Sequence, residues 1–374
     1  MQNISKSVMT IIDQLLLPAI PLKQISLFKF GLATLSLHPF ISLNSNARMW
    51  GECIRATAES RIYRLMINKA LLGCCKKLIT LFVSLGIITC LSKVNIDFST
   101  FCGKESSKPF QVLAFGLQTY LGRAILLFFA IIQYPIETGS QNIFIIETIE
   151  ELGALLEFYP RFVLDRGFAI PSLVQFFVDT HIIFYIRSKS GKIVIISTMQ
   201  EFTDVEEIDR KVKAREMRGN DVRITLYGRP MRLVISDKDG KDKEPWYIIT
   251  NDFNSTREEV IENYAHRFEI EETFKDIKHL QGLEQLKVGS KQSATIVLWF
   301  IMIGMWIAFL VSVAVISTGK IIVKTPFTII SQTGKLCNKH KILSFFRQFF
   351  ESLQRVYYRI QKWLLQRPFF QKRL

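Results

Sequence analysis

From Ala294 to Ile316 the chain runs for 23 residues without a charge, and this stretch limits what the molecule can be. Its centre, LWFIMIGMWIAFLVSVAVI, matches the length of about 20 residues that a helix needs to cross a bilayer. The other way to hide so much apolar surface is a helix enclosed on most sides by protein. The two outcomes are different molecules: an integral membrane protein with a span at 294–316, or a chain whose core is built around that helix. Hydropathy leaves both open.

The rest of the sequence favours the second. Hydrophobic residues make up 49% and charged residues 22% of the chain, which excludes wholesale disorder, and 374 residues allow two or three domains. The net charge is +15, and the segment from Lys320 to the end holds +11 of it, with Glu351 as its one acid. A second basic stretch, Arg48 to Lys77, has seven Lys/Arg against Glu52 and Glu59. Concentrated positive charge points to a polyanionic partner, nucleic acid or an acidic membrane surface. The six cysteines (Cys53, Cys74, Cys75, Cys90, Cys102, Cys337) lack zinc-site spacing, and a reducing cytosol fits them. The N-terminus has no basic leader, and Asp13 interrupts its apolar run, so a cleaved signal peptide is not expected.

Along the chain, residues 1–90 read as helical. SKVNIDFST then places Asp97 at a strand end, and FQVLAFGLQTYLGRAILLFFAIIQYP reads as two strands about a turn at Gly122. Ser140 is a candidate N-cap for a helix reaching Glu157. RFVLD is a short strand that delivers Asp165, Pro171 opens another helix, and HIIFYIRSKS is a strand. The order of three strands, helix, strand, helix, strand is that of an α/β sheet, with both acids at strand C-termini, where such sheets carry their sites. From Lys192 to Pro245, KIVIIS, DVRITLYG and RPMRLVISDK read as a β-rich insertion.

STREEVIENYAHRFEIEETFKDIKHL carries the sharpest pattern. Ser255 with Glu258 forms a capping box, and helical periodicity continues to Leu280. At about 100° per residue, Tyr264, Arg267, Glu271 and Lys278 form one narrow stripe about 20 Å long. Ile270, Phe274 and Ile277 flank it as the buried face, while Glu269, Glu272 and Asp276 are expected to face solvent. A plain amphipathic helix with an Arg267–Glu271 pair accounts for the same composition.

The spacing Y-x2-R-x3-E-x6-K resembles the signature of bacterial insertion-sequence DDE transposases of the insertion-sequence-four type. VLDRGF around Asp165 and IDFST around Asp97 are similar to the segments of that family that bear the first two catalytic acids. LGRA (121–124), SQNIFI (140–145) and WYIIT (246–250) also look like family segments, so the resemblance covers about 90–310.

The resemblance implies an α/β fold: an RNase H-like catalytic domain interrupted by a β-rich insertion and flanked by helical N- and C-terminal regions. The boundaries would be 1–90 (DNA-binding), 91–191 and 246–318 (catalytic), 192–245 (insertion) and 319–374 (basic, for DNA contact or dimerisation). It implies that the apolar run packs behind the sheet. Asp97, Asp165 and Glu271 would hold two Mg²⁺ ions, with Mn²⁺ able to substitute, since hard cations take oxygen ligands and relieve the repulsion of clustered acids. Tyr264, Arg267, Lys275 and Lys278 would contact DNA phosphates, and Trp246 would stack on a displaced base. Arg166, Arg187 and Lys189 are further candidates for DNA contact, and Arg123 a weaker one. The partner would be double-stranded DNA (terminal inverted repeats and target), handled by a homodimer in the cytoplasm, at the nucleoid.

Overall fold

The structure, a computed structural model, describes residues 2–36, 55–101, 110–119, 122–133, 140–188, 221–226, 229–236, 246–280, 290–317, 360 and 363–364. Helices α1 (Gln2–Ile11) and α2 (Leu22–Gly31) each run on into a π turn, Ile12–Leu16 and Leu32–Ser36. Helices α3 (Arg55–Met66), α4 (Lys69–Lys77) and α5 (Thr80–Ser84) follow. The middle of the chain is β1 (Lys93–Phe101), β2 (Phe110–Leu117), β3 (Ile125–Gln133), α6 (Ser140–Leu156), β4 (Arg161–Leu164), α7 (Pro171–Asp179) and β5 (Phe184–Ser188). This is the predicted order. Then come β6 (Asp221–Leu226), β7 (Arg229–Ile235), β8 (Tyr247–Thr250), α8 (Arg257–Ala265), α9 (Phe268–Leu280) and α10 (Lys291–Ser317).

All eight strands lie in one sheet, in the order β3-β2-β1-β4-β5-β8-β7-β6. The hairpins β1–β2 and β2–β3 are antiparallel, while β4 and β5 run parallel to β1, as α6 and α7 crossovers require. A mixed α/β molecule of this kind is consistent with the RNase H-like expectation. The turn between β2 and β3 does contain Gly122, whose φ of +74° is a backbone state that suits glycine.

The strands read as an insertion do not form a separate layer. β7 pairs antiparallel with β8 and β6 with β7, so both extend the sheet past β8. An uncovered β8 edge would expose unpaired backbone groups, and β7 takes them up. KIVIIS lies outside the described residues.

The apolar run becomes α10. It is long and apolar enough to cross a bilayer, yet its most apolar stretch is 89% buried inside the protein. Its hydrophobicity is therefore accounted for by protein contacts. On one side it crosses β3, where Trp306 Nε1 donates to the Leu126 carbonyl at 2.6 Å and Trp299 packs on Phe128 and Phe129. On the other it meets the N-terminal helices so closely that only small residues fit. A Cβ on Gly304 would stand 2.3 Å from the Ser36 carbonyl oxygen, and one on Gly31 would stand 2.2 Å from the Phe300 ring. Ser36 Oγ donates to the Phe300 carbonyl at 2.6 Å, which satisfies a buried hydroxyl inside this interface.

Within the basic C-terminal segment, Ile360 and Leu364 are buried in the main core, with Trp363 packed beside it. At these positions the segment packs within its own chain. The rest of that segment lies outside the described residues.

The close approach at Gly304 gives a test of this packing. Gly304→Ala should destabilise the fold by about 1–3 kcal/mol, the usual cost of overpacking against backbone that cannot yield. Gly73→Ala, in α4 with nothing within 4 Å of the new methyl, should be neutral or stabilise by up to about 1 kcal/mol. Urea unfolding followed by circular dichroism distinguishes the two; equal effects would mean that α10 does not pack here as described.

Candidate active site

Strand register brings the first two acids together. The parallel ladder between β1 and β4 ends at Ile96↔Leu164, and Asp97 and Asp165 are the next residue on each strand. Neighbouring strands lie about 4.8 Å apart, so the two backbones carry their carboxylates side by side. Asp97 is not at the end of β1, as expected, but at the end of its pairing with β4; β1 continues along β2 to Phe101. Just past the acids, Phe98 and Phe168 stack at 5.4 Å with their planes 3° apart, fixing both strand ends.

Residues alternate across a strand, so Asn95 and Asp97 share one face of β1. That face is covered by the α8–α9 junction. Asn95 donates to the His266 carbonyl at 3.0 Å, while Gln118 donates to Asn95 Oδ1 at 2.7 Å and to the Asn263 carbonyl at 2.9 Å. Asn263 lies in the last turn of α8 and His266 is its C-cap, so these bonds hold the end of that helix on β1 and β2.

The junction itself corrects the sequence reading. The predicted single helix is two, broken at His266–Arg267. Its N-cap is Thr256 rather than Ser255: Thr256 Oγ1 accepts from Glu259 N at 3.2 Å, and Glu259 accepts from Thr256 N at 2.7 Å. Ser255 is drawn instead into a turn centred on Asp252, to which its hydroxyl donates at 2.6 Å.

Glu269, expected to face solvent, is 4% exposed. Its carboxylate accepts from the backbone N–H of Thr119 at 2.9 Å and of Gly122 at 3.1 Å, and its carbonyl accepts from Ala124 N at 3.2 Å. His266 Nδ1 stands 3.2 Å from the same carboxylate. Thr273 Oγ1 donates to the Ala124 carbonyl at 2.8 Å, and Arg123 Nε donates to Asp276 at 2.8 Å. Arg123 thus joins the β2–β3 turn to α9. Together these bonds dock the first turn of α9 on that turn, with Glu271 two residues beyond Glu269.

Arg267 lies among the acids. Its side chain is 5% exposed, with Nη1 3.7 Å from Asp97 Oδ2 and Nη2 donating to Glu271 Oε1. Phe268 covers the guanidinium at 4.5 Å. Burial would lower the Arg267 guanidinium, but Tyr264, Asp165, Glu271 and Asp97 outweigh it and keep the group above its ordinary value. Burial pushes the Asp97 carboxyl up to about 6; Arg267 and the Phe98 N–H pull it back, while Glu271 and Asp165 add to the rise. The three acids therefore feel one another and a single guanidinium. Among the described residues, no group of three or more His, Cys, Asp or Glu side chains is assembled as a cage ready for a metal ion.

The other predicted residues divide. Tyr264 is fully buried beside Arg267, with burial raising its pKa and Arg267 pulling it back. Trp246 is 9% exposed and packs edge-on to Tyr264 at 5.3 Å, which makes it a core residue here rather than an open stacking platform. Arg166 is exposed in the turn after Asp165, and Arg187 is half-buried on β5, within electrostatic reach of Tyr264. Lys278 is half-buried on α9, about two turns beyond Glu271. Lys275 is exposed and paired with Glu272. Lys189 lies outside the described residues. Sequence reasoning missed Asn95, Gln118 and Glu269. Asn95 had a signal, a lone amide inside the apolar stretch VNI, which must find partners when buried.

Two consequences are measurable. Glu269→Ala strands two backbone donors and should cost about 2–4 kcal/mol in chemical denaturation, with Glu269→Gln, which keeps one acceptor oxygen, falling between. The Asp97 carboxyl sits above its ordinary value of 3.8, so its contribution to stability is fully present below about pH 4 and is lost as pH rises through about 6. In EDTA, Asp97→Asn should flatten the fall in stability across that window and exceed wild type near pH 7 by on the order of 2 kcal/mol. A steeper fall in the variant would refute the assigned burial.

Residues 144–307 match the family model of the transposase DDE domain, a span that includes Asp165, Tyr264, Arg267, Glu271 and Lys278 and begins after Asp97. No curated protein matches the chain. Among solved structures it is similar to endonuclease V from Bacillus subtilis, at 11% identity and a TM-score of 0.31, covering 60% of this chain and 97% of that one. The family match over 144–307 supports a DDE transposase.

Proposed function

We propose that the chain is a cut-and-paste DNA transposase of the insertion-sequence-four type, with Asp97, Asp165 and Glu271 as its catalytic acids. The observation that carries this reading is the meeting of two adjacent strand ends and the first turn of α9 around one buried guanidinium. Three oxygen-bearing acids, one with its carboxyl raised to about 6, form a donor set suited to hard divalent cations. Asp97, Asp165 and Glu271 would hold two Mg²⁺ or Mn²⁺ ions. When bound, the pair would supply polarisation of the scissile phosphate, a more acidic water and stabilisation of the leaving 3′ oxygen.

The chain's own residues do the rest. The exposed Arg166, beside Asp165, and Lys278, on the Glu271 helix, would hold phosphates of the transposon end and set its register. Arg267 and Tyr264 line the same site from the junction. Hydrolysis at the transposon end leaves a 3′-OH, and that hydroxyl attacks a phosphodiester of the target in a transesterification. The substrate is double-stranded DNA with terminal inverted repeats, engaged by two copies of the chain. The buried α10 removes the reason to invoke a bilayer.

The test uses purified protein, Mg²⁺ and a duplex carrying the element's own terminal repeats. Asp97→Asn, Asp165→Asn and Glu271→Gln should each lower end cleavage by about 10³-fold or more, the scale for losing a group that acts on charge in the transition state. Gel-shift affinity for the ends should change little. Cleavage that survives in the Glu271→Gln protein would remove the assignment.

A further inference from the structure

Arg267 occupies the middle of the candidate site rather than its rim. The guanidinium touches Glu271 and lies 3.7 Å from Asp97, and it is held by the charge of Asp165 as well. It is 4% exposed, roofed by Phe268, and its Nε has no hydrogen-bond partner among the described residues. A buried cation with one donor left unsatisfied is seated by its charges and not by a full set of hydrogen bonds.

We propose that Arg267 is a resident counter-cation for Asp97 and Glu271, which a divalent cation must displace, so that this side chain sets how tightly the site takes metal. The proposal rests on the reading of these acids as metal-holding. Physically, three clustered carboxylates repel one another and need positive charge from some source. The guanidinium supplies it before loading, and at this range it also repels any incoming cation strongly. The sign of the effect separates this role from ordinary support. An arginine that merely holds the acids in place weakens metal binding when removed, whereas a competing one strengthens it.

Isothermal titration with Mn²⁺ on the full chain reads that sign. Arg267→Met keeps the length of the stem without charge, and Arg267→Lys keeps a charge that is too compact to reach both acids at once. The Met variant should bind Mn²⁺ about tenfold or more tightly than wild type, with the Lys variant between. In EDTA the Met variant should melt at a lower temperature than wild type and recover on Mn²⁺ addition. Equal or weaker binding in the variants overturns the proposal, and if the Met protein does not fold the Lys protein decides alone. Asp97→Asn separates this outcome from failure of the metal-site reading. Unchanged Mn²⁺ binding in that protein would remove the site itself. Weakened binding there, with no gain in the arginine variants, would remove only the role of Arg267.

Discussion

Carboxylates placed side by side away from water cannot all stay ionised without a cation between them. This constraint organises the centre of the molecule. Two parallel strands end their ladder one residue before Asp97 and Asp165, and a helix that begins at Phe268 delivers Glu271 from its first turn. Arg267 answers the charge from the same junction, at the cost of an unsatisfied Nε. The Asp97 carboxyl still sits high, chiefly because it is buried, with Glu271 and Asp165 adding to the rise and Arg267 pulling it back.

Holding that arrangement takes scaffolding that is itself polar. Glu269 caps the turn between β2 and β3 through backbone N–H groups, and Asn95 and Gln118 bond the His266 and Asn263 carbonyls where α8 gives way to α9. The close approach of α9 to the sheet is possible because Gly116 has no side chain; a Cβ there would stand 2.9 Å from the Ala124 Cβ and 3.2 Å from Ile270 Cδ1. Behind the sheet, α10 fills the space between β3 and the N-terminal helices and gives the strands a rigid backing. The apolar run that reads as a membrane span and the acids that read as a nuclease centre are thus two sides of one sheet.

Much of this was legible in the residues. Strands and helices from β1 to β5 follow from apolar runs bounded by Gly122, Ser140 and Pro171, because local periodicity and turn chemistry decide them. The four-residue spacing on Tyr264, Arg267, Glu271 and Lys278 singled out the stretch that lies against the two strand acids. What periodicity could not see was the break at His266–Arg267, which depends on Asn95 and Gln118, more than 140 residues away in the chain. Extrapolating one helix through the break rotated Glu269 to the solvent side, when tertiary contacts bury it. The same limit applies to β6 and β7: their strand character is local, but which edge they join is set by β8. Trp246, expected to stack on a displaced base, packs on Tyr264 as a core residue in this structure, because its burial depends on a partner that local sequence does not reveal.

The central claim is that Asp97, Asp165 and Glu271 share a pair of divalent cations. Crystals of the full chain soaked with Mn²⁺ and measured at the manganese edge address it without reference to catalysis. The expected map has two anomalous peaks about 3.5–4 Å apart, each bonded to oxygens from this trio, with the Arg267 guanidinium moved off Asp97. Peaks elsewhere, or none while all three carboxylates remain around the guanidinium at high Mn²⁺, would contradict the account.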